Sequence, residues 1–318
     1  MMASLRGHLT GEVSFVFKQM IAFGEKKSHL KVQALSERKF FSHYYKGKIF
    51  SHSTFANYYA EAKKFVHWCD EHYKLRSVYR LKSEMLLSYI KTGSENLSTN
   101  TLKVRIAAIT KLVEGLEVVA GKEKLRSFKD VARQLYAELS KFVPMRPVYS
   151  AQQIQSLAMK LREANSHYGL VFQVHVETGC RLRELAQLSR RDLLGLVEEQ
   201  QVGVLAIRGK GGRLRELRIS QETYLRLTCV LDQREVLCNY HGYRQALRRA
   251  SESLGFSVVA THAVRRFVAQ QVMNNSLVAY RSLGLSIKEA TAKALGDVNE
   301  MLGHSRERVS TTRIYLDA

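Results

Sequence analysis

Apolar positions recur at three- and four-residue spacing along most of the chain, the signature of amphipathic helices. In FANYYAEAKKFVHWCDEH, Phe55, Tyr58, Tyr59, Ala62, Phe65, Val66 and Cys69 share one face, and Ser53 or Thr54 is the candidate N-cap. TLKVRIAAITKLVEGL opens at Ser98 or Asn100 and buries Leu102, Ile106, Ile109 and Val113, leaving Lys103, Arg105 and Lys111 outside the stripe. TGEVSFVFKQMIAFG is expected to end on Gly24 as a C-cap. Ser83 opens EMLLSYIKT, which Gly93 ends, and one more helix covers about residues 123–142. No repeat or low-complexity segment interrupts the pattern.

The pattern changes after residue 143. The only two prolines, Pro144 and Pro147, lie close together and bias their neighbours away from helix, which marks a linker. The division expected is 1–143, a linker at 144–150, and 151–318. Ser150 to Gln153 has the form of a capping box and opens a helix from Ala151 to Ala164. A second helix is expected from Leu170 to Glu177. Two strand-like runs, VGVLAIR and RLRELRIS, flank Gly209-Lys210-Gly211-Gly212, a hairpin signal because glycines take positive φ cheaply. Helical pattern then dominates to the C-terminus. The fold class is therefore mainly α in two domains, the second with a small antiparallel sheet.

Length and charge sharpen this picture. A chain of 318 residues is more than one core needs. Lysine and arginine total 50 against 29 aspartate and glutamate, a net charge of +21, and such a field has a polyanion as its usual partner. Residues 1–140 and the remainder share the excess almost equally. Lysine dominates the first part and arginine the second, and the arginine fork suits bidentate grip on phosphate. No long apolar span or polybasic tail points to a membrane. Cys69, Cys180, Cys229 and Cys238 form no C-x-x-C pair and no zinc-ligand spacing, so neither a metal nor a disulfide framework is expected. The first residues lack a secretory h-region, and a cytoplasmic location, on the nucleoid, is expected.

Four local clusters carry candidate chemistry. In TGCRLREL, Gly179 breaks one helix, and Arg181 and Glu184 share a face of the next, so the carboxylate can orient the guanidinium. Lys210 stands at the tip of the glycine-flanked turn, with Arg213 beside it. In THAVRR, Thr261 is the candidate N-cap, and His262 and Arg265 lie on one face near a helix N-terminus, where anions are favoured; Arg266 adjoins them. In LGHS, Gly303 ends a helix and presents His304, and STTRIY follows with Tyr315. Each cluster alone has an ordinary explanation: an ion-paired surface helix, a solvated turn lysine, a half-buried histidine, a packed aromatic.

Together these motifs resemble the tyrosine recombinase (phage integrase) family. The resemblance rests on TGCRLREL, the GKGG hairpin, THAVRR, LGHS and STTRIY, and extends to HSTFANYYAEAKKFVHWC and LSTNTLKVRIAAITKLVEGL, which look like that family's helical core-binding, SAM-like domain. It implies the DNA breaking-rejoining fold, with Arg181 and Arg265 gripping the scissile phosphate and His262 and His304 adding hydrogen bonds and moving protons. Lys210 is implied as general acid, Tyr315 as the nucleophile that forms a 3′-phosphotyrosine, and Glu184 as the support of Arg181. Lys103, Arg105, Lys111, Arg213 and Arg266 are the further DNA-binding candidates. The chemistry implied needs no cofactor, metal or ATP. The partners implied are double-stranded DNA at a specific recombination site, held in a C-shaped clamp, and further protomers: a homodimer on each site and a homotetramer at synapsis. DNA-bending or directionality proteins are possible accessories. The same residues also serve a type IB topoisomerase or a hairpin-forming telomere resolvase, and a decayed, purely DNA-binding relative is the third reading.

The chain departs from that family's pattern in three places. His304 to Tyr315 looks about two residues longer than usual, with Arg306-Glu307-Arg308 as the insert. The stretch between Arg265 and His304 is long, and NNSLVAYRSLGLSIKEATAKALG within it is a candidate extra helix. Only Leu316, Asp317 and Ala318 follow Tyr315, where many members carry a tail that docks on a neighbouring protomer.

Overall fold

The computed structural model describes residues 8–40, 42–93, 96–121, 123–140, 148–209, 212–257, 261–304 and 315–316. The chain divides into two compact units, Met1–Pro144 and Met145–Ala318. Within the expected linker, residues 144–147 lie outside the described residues.

Unit 1 is helical, with α1 (Leu9–Gln19), α2 (Lys27–Ser36), α3 (Ser42–Tyr45), α4 (His52–Tyr73), α5 (Ser83–Gly93), α6 (Thr99–Ala120) and α7 (Leu125–Ser140). The stripe expected on α6 is buried, and it packs against α1, α4 and α7 around Phe17, Phe65, Leu112 and Phe128. Ser98 caps α6 by accepting from Thr101 N, and Gly121 ends it in the left-handed conformation. Two expected boundaries move. The helix α1 stops well before Gly24, because the chain leaves it to pair with a neighbour: Ile49 N donates to Met20 O at 2.7 Å and Ala22 N to Ile49 O at 3.0 Å. The cap of α4 is Ser51, whose hydroxyl accepts from Thr54 N at 3.2 Å, so Ser53 and Thr54 both lie in its first turn.

Unit 2 opens with α8 (Ala151–Ala164). Its capping box is present: Gln153 N donates to Ser150 Oγ at 3.1 Å and Ser150 N to Gln153 Oε1 at 2.9 Å. The next helix, α9 (Ser166–Thr178), begins earlier than Leu170, since Asn165 Oδ1 accepts from Tyr168 N and caps a first turn with little apolar pattern. It ends at Gly179, φ +58°, and the short α10 (Leu182–Leu185) follows. The sheet is antiparallel in the order β1 (Leu193–Val197), β2 (Val202–Arg208), β3 (Leu214–Ser220), the last two forming the expected hairpin. β1 was hidden in the sequence because its run is short and Gly195 sits at a register irregularity.

The remaining helices are α11 (Gln221–Leu231), α12 (Tyr240–Ser253), α13 (Thr261–Ser282) and α14 (Ile287–Met301). Thr261 is the first residue of α13 rather than the residue before it. Residues 274–296 make no separate helix: they lengthen α13, turn at Gly284 with φ +83°, and form the start of α14. Ala269, Val298 and Leu302 close this helical pair, and Tyr315 and Leu316 pack on them. The main core of unit 2, including Leu157, Phe172, Leu205, Leu227 and Val264, lies between the sheet and the other helices. Among the described residues no helix is long and apolar enough to cross a membrane.

One glycine is demanded by packing rather than by φ. A Cβ added at Gly203 of β2 would lie 2.1 Å from the Tyr224 ring of α11. The close approach of helix to strand thus requires a bare Cα. Gly203→Ala is expected to destabilise unit 2 by about 2 kcal/mol through overpacking, read as a lowered melting temperature; an unchanged melt would show that Tyr224 is not held against the strand.

Candidate active site

The site begins at the end of α9. Gly179 takes a left-handed turn that L side chains rarely adopt, and the reversal places Arg181 just before α10. Glu184, in the first turn of α10, accepts from Arg181 N at 2.9 Å and from Arg181 Nη1 at 2.8 Å. Its side chain is 4% exposed, and a second cation meets it there: Arg215 Nη2 donates to Glu184 Oε2 at 2.6 Å. Burial pushes the Glu184 carboxyl up, but the hydrogen bond and charge of Arg215 and the donors of Arg181 outweigh it and hold the group at about 2. Arg181 stays partly exposed, at 26% of its side chain.

Arg265 stands near the start of α13 and is fully buried. Its Nη1 donates to Gly179 O and its Nη2 to Leu302 O at 2.6 Å. Those carbonyls belong to the C-caps of α9 and α14, helix ends whose orphan acceptors and negative dipole poles suit a cation. Its Nε, buried, has no hydrogen-bond partner among the described residues. After Leu302, Gly303 turns with φ +67° and His304 follows, its N donating to Asn299 O at 2.7 Å. Arg181 Nη2 lies 3.3 Å from His304 Nε2. A guanidinium can only donate, so a hydrogen bond between them has Nε2 as its acceptor.

Tyr315 completes the cluster. Its ring centroid lies 5.5 Å from Arg265 Cζ and 6.0 Å from the His304 ring. His262 shares the groove with Arg181 and Arg265. Loss of water around its ring, then the charges of Arg265, Arg266 and Arg181, push its pKa down, which favours the neutral imidazole. The structure therefore brings Arg181, Glu184, His262, Arg265, His304 and Tyr315 to one place. Lys210 lies outside the described residues, as do Arg306, Glu307 and Arg308. Gly209, its neighbour in sequence, closes the hairpin turn by donating to Arg213 O at 2.7 Å.

The other basic candidates are dispersed. Arg213 is exposed beside the hairpin turn, and Arg266 is half-buried on α13. In unit 1, Arg105 pairs with Glu61 at 3.1 Å and lies over the Tyr89 ring, and Lys111 pairs with Glu114 at 2.8 Å. Both thus make ion pairs within the unit. Lys103 is half-buried on α6.

Three features escaped the sequence reading. A groove of about 1770 Å³ runs from Arg181 and Arg265 along α12, and six arginines line it against two glutamates. Arg183, beside Arg181 in TGCRLREL, belongs to it, as do Arg234, Arg244 and Arg248, which come from segments with no motif. Beneath it His175 of α9 bonds through Nδ1 to the Tyr243 hydroxyl of α12 at 3.0 Å. Burial, then the charges of Arg265 and His262, push His175 down to about 3, so it is a neutral strut. Arg215 did carry a signal: it alternates in phase with Leu217 and Ile219 and so faces inward. Among the described residues no three His, Cys, Asp or Glu side chains gather as metal ligands, and none of the four cysteines is in a disulfide.

Residues 38–117 match the model of the phage integrase N-terminal SAM-like domain. The XerH site-specific recombinase, solved on a palindromic difH substrate, superposes with a TM-score of 0.62 over 99% of this chain and 94% of that one, at 15% identity. The fold is that of the tyrosine recombinases. A lambda integrase dimer on a COC′ core site superposes with a TM-score of 0.58 at 14% identity, covering 91% of this chain and 76% of that one. The Tn1549 transposon integrase with a circular intermediate DNA gives 0.57 at 15%, covering 91% and 94%. No curated protein matches the chain in sequence. In this tyrosine recombinase fold the cluster sits where α9, α10, α13 and the end of α14 converge.

The Glu184 geometry predicts an acid limit. Its folded pKa, about 2, is depressed below the ordinary 4.5. Its contribution, about 3 kcal/mol, is therefore complete above pH 4.5 and lost as the pH falls toward 2. Glu184→Gln should flatten the acid-unfolding curve in that window and lower stability at neutral pH by about 3 kcal/mol, since Arg215 is left buried without its anion. An acid curve identical to wild type would remove Glu184 from this role.

Proposed function

We propose that the chain is a site-specific DNA recombinase that breaks and rejoins strands through Tyr315. The observation that carries this reading is the meeting of Arg181, Arg265, His304 and Tyr315 at the end of an arginine-lined groove. Two guanidiniums and two imidazoles around one point suit a phosphodiester, whose equatorial oxygens gain charge in the transition state. Arg181 and Arg265 grip those oxygens. His262 and His304 add hydrogen bonds and take part in moving the proton that the tyrosine gives up. The Tyr315 oxygen forms a bond to phosphorus as the bond from phosphorus to the 5′-oxygen breaks, and Lys210 protonates that leaving oxygen. The phosphotyrosine keeps the bond energy, so a 5′-hydroxyl from a second strand reverses the step and rejoins the DNA without ATP or metal.

The basic charge of the whole chain supports a duplex partner, with unit 1 contributing a domain of phage integrase type. The structural neighbours include a lambda integrase dimer on a core site and a tetramer on a Holliday junction. On that analogy two protomers occupy each recombination site and four meet at synapsis. The integrase-type N-terminal domain favours recombination over relaxation by a topoisomerase. The element recombined is of the kind that integrates, excises or resolves, and the work is done in the cytoplasm.

A nicked duplex carrying the target site tests the reading, incubated without metal or ATP and run on a denaturing gel. Wild-type protein is expected to give a covalent adduct, and Tyr315→Phe none. An adduct that survives Tyr315→Phe moves the nucleophile elsewhere. Tight binding to a verified site with no adduct leaves a DNA-binding protein without catalysis.

A further inference from the structure

Arg215 does not line the groove, yet its position links three pieces of the site. It lies on the buried face of β3 with Leu217 and Ile219, its side chain 5% exposed. A buried guanidinium is a poor source of stability there, because an apolar side chain in the same place would pack without losing water. Its neighbours are chemical ones instead. Nη2 donates to Glu184 Oε2 at 2.6 Å, Nη1 lies 3.4 Å from Oε1, and Nη2 is 3.7 Å from Cys180 Sγ. A Cβ added at Gly209 would come within 3.1 Å of Arg215 Nη1, and one at Gly303 within 3.0 Å. The guanidinium therefore fills the space between the carboxylate that holds Arg181, the residue preceding Lys210 and the residue preceding His304.

Charge gives the arrangement its purpose. With Arg181 as its sole cation, Glu184 would cancel the charge that Arg181 offers to the groove. A second guanidinium shares the carboxylate, and the trio keeps one net positive charge. Of its members Arg181, half-exposed, is the one that reaches the groove. We infer that Arg215 is a positioning residue, holding Arg181 through Glu184 and packing beside Gly209 and Gly303. This rests on the recombinase reading for its consequence, though the geometry at Arg181 stands independently of it.

The test uses the full chain and four variants: Arg215→Met, Arg215→Lys, Glu184→Gln and the Arg215→Met/Glu184→Gln pair. The first readout is the Arg181 Nε–H signal in side-chain nitrogen NMR, assigned through Arg181→Lys. It is expected to be sharp in wild type and broadened in Arg215→Met. The second is single-turnover cleavage of nicked DNA against pH. Arg215→Met should cleave roughly 100-fold more slowly, as a displaced catalytic group does, with DNA affinity changed less than about threefold. Its acid limb should move to higher pH, because Glu184 loses a cation; a merely loosened fold would lower the rate equally at every pH. Arg215→Lys keeps the charge without the fork, folds, and should recover part of the rate. In the paired variant the two effects should not add.

An Arg181 signal and a pH profile identical to wild type, in Arg215→Met or in Arg215→Lys, would overturn the assignment, as would full additivity with Glu184→Gln. The two readings fail separately. A wild-type chain that makes no adduct, while Arg215→Met still loses the Arg181 signal, removes the recombinase reading and keeps Arg215 as the residue that orders Arg181. Adduct formed alike by wild type and Arg215→Met keeps the reading and removes Arg215.

Discussion

A carboxylate buried between two guanidiniums organises unit 2. Glu184 is held by Arg181 from one side and Arg215 from the other, with the Arg181 backbone N–H as a further donor. Removing it from water is costly, and only full satisfaction makes it tolerable. That requirement dictates the local backbone. The α9 helix must end where it does so that Arg181 precedes α10. The hairpin must carry an inward arginine, and at 209 and 303 a side chain would press on that arginine. A buried ion trio of this kind contributes little net stability, and its value lies in aiming one cation at the groove.

Arg265 is a second buried cation with a different solution. Among the described residues it pairs with no carboxylate, and it uses the C-terminal carbonyls of α9 and α14. The two helix ends are thereby tied together, and Tyr315 packs over the guanidinium on the small cluster of Ala269, Val298 and Leu302. The site is thus assembled mainly from helix termini, where unsatisfied backbone groups and turns gather. This explains why its residues are scattered over more than a hundred positions of sequence and yet converge.

Much of this was legible in the residues. The α6 stripe, the Ser150 capping box, the glycine stop after Thr178 and the hairpin about Gly209 all follow from local rules and are all present. Boundaries set by long-range pairing were not legible: nothing near Gly24 announces that Ile49 draws the chain out of α1 early. A short strand such as β1, interrupted by Gly195, shows no alternation to read. Within the site, motif residues could be named because each sits in a recognisable turn or first helical turn. The groove arginines could not, since Arg234, Arg244 and Arg248 are joined only by the packing of α12 against its neighbours. Arg215 was readable in principle from its phase with Leu217 and Ile219, but an inward arginine means little until its carboxylate is known.

On the proposed reading this cluster closes around a phosphate with Tyr315 in line. The most direct measurement is a crystal structure of the chain with cleaved DNA strands and orthovanadate, which takes the trigonal-bipyramidal geometry of phosphoryl transfer. Vanadate is expected within hydrogen-bond reach of Arg181, Arg265 and His304, with the Tyr315 oxygen at one apex and the 5′-oxygen at the other. Vanadate or the strand junction seated away from Arg181 and Arg265, or a different oxygen at the apex, would contradict it.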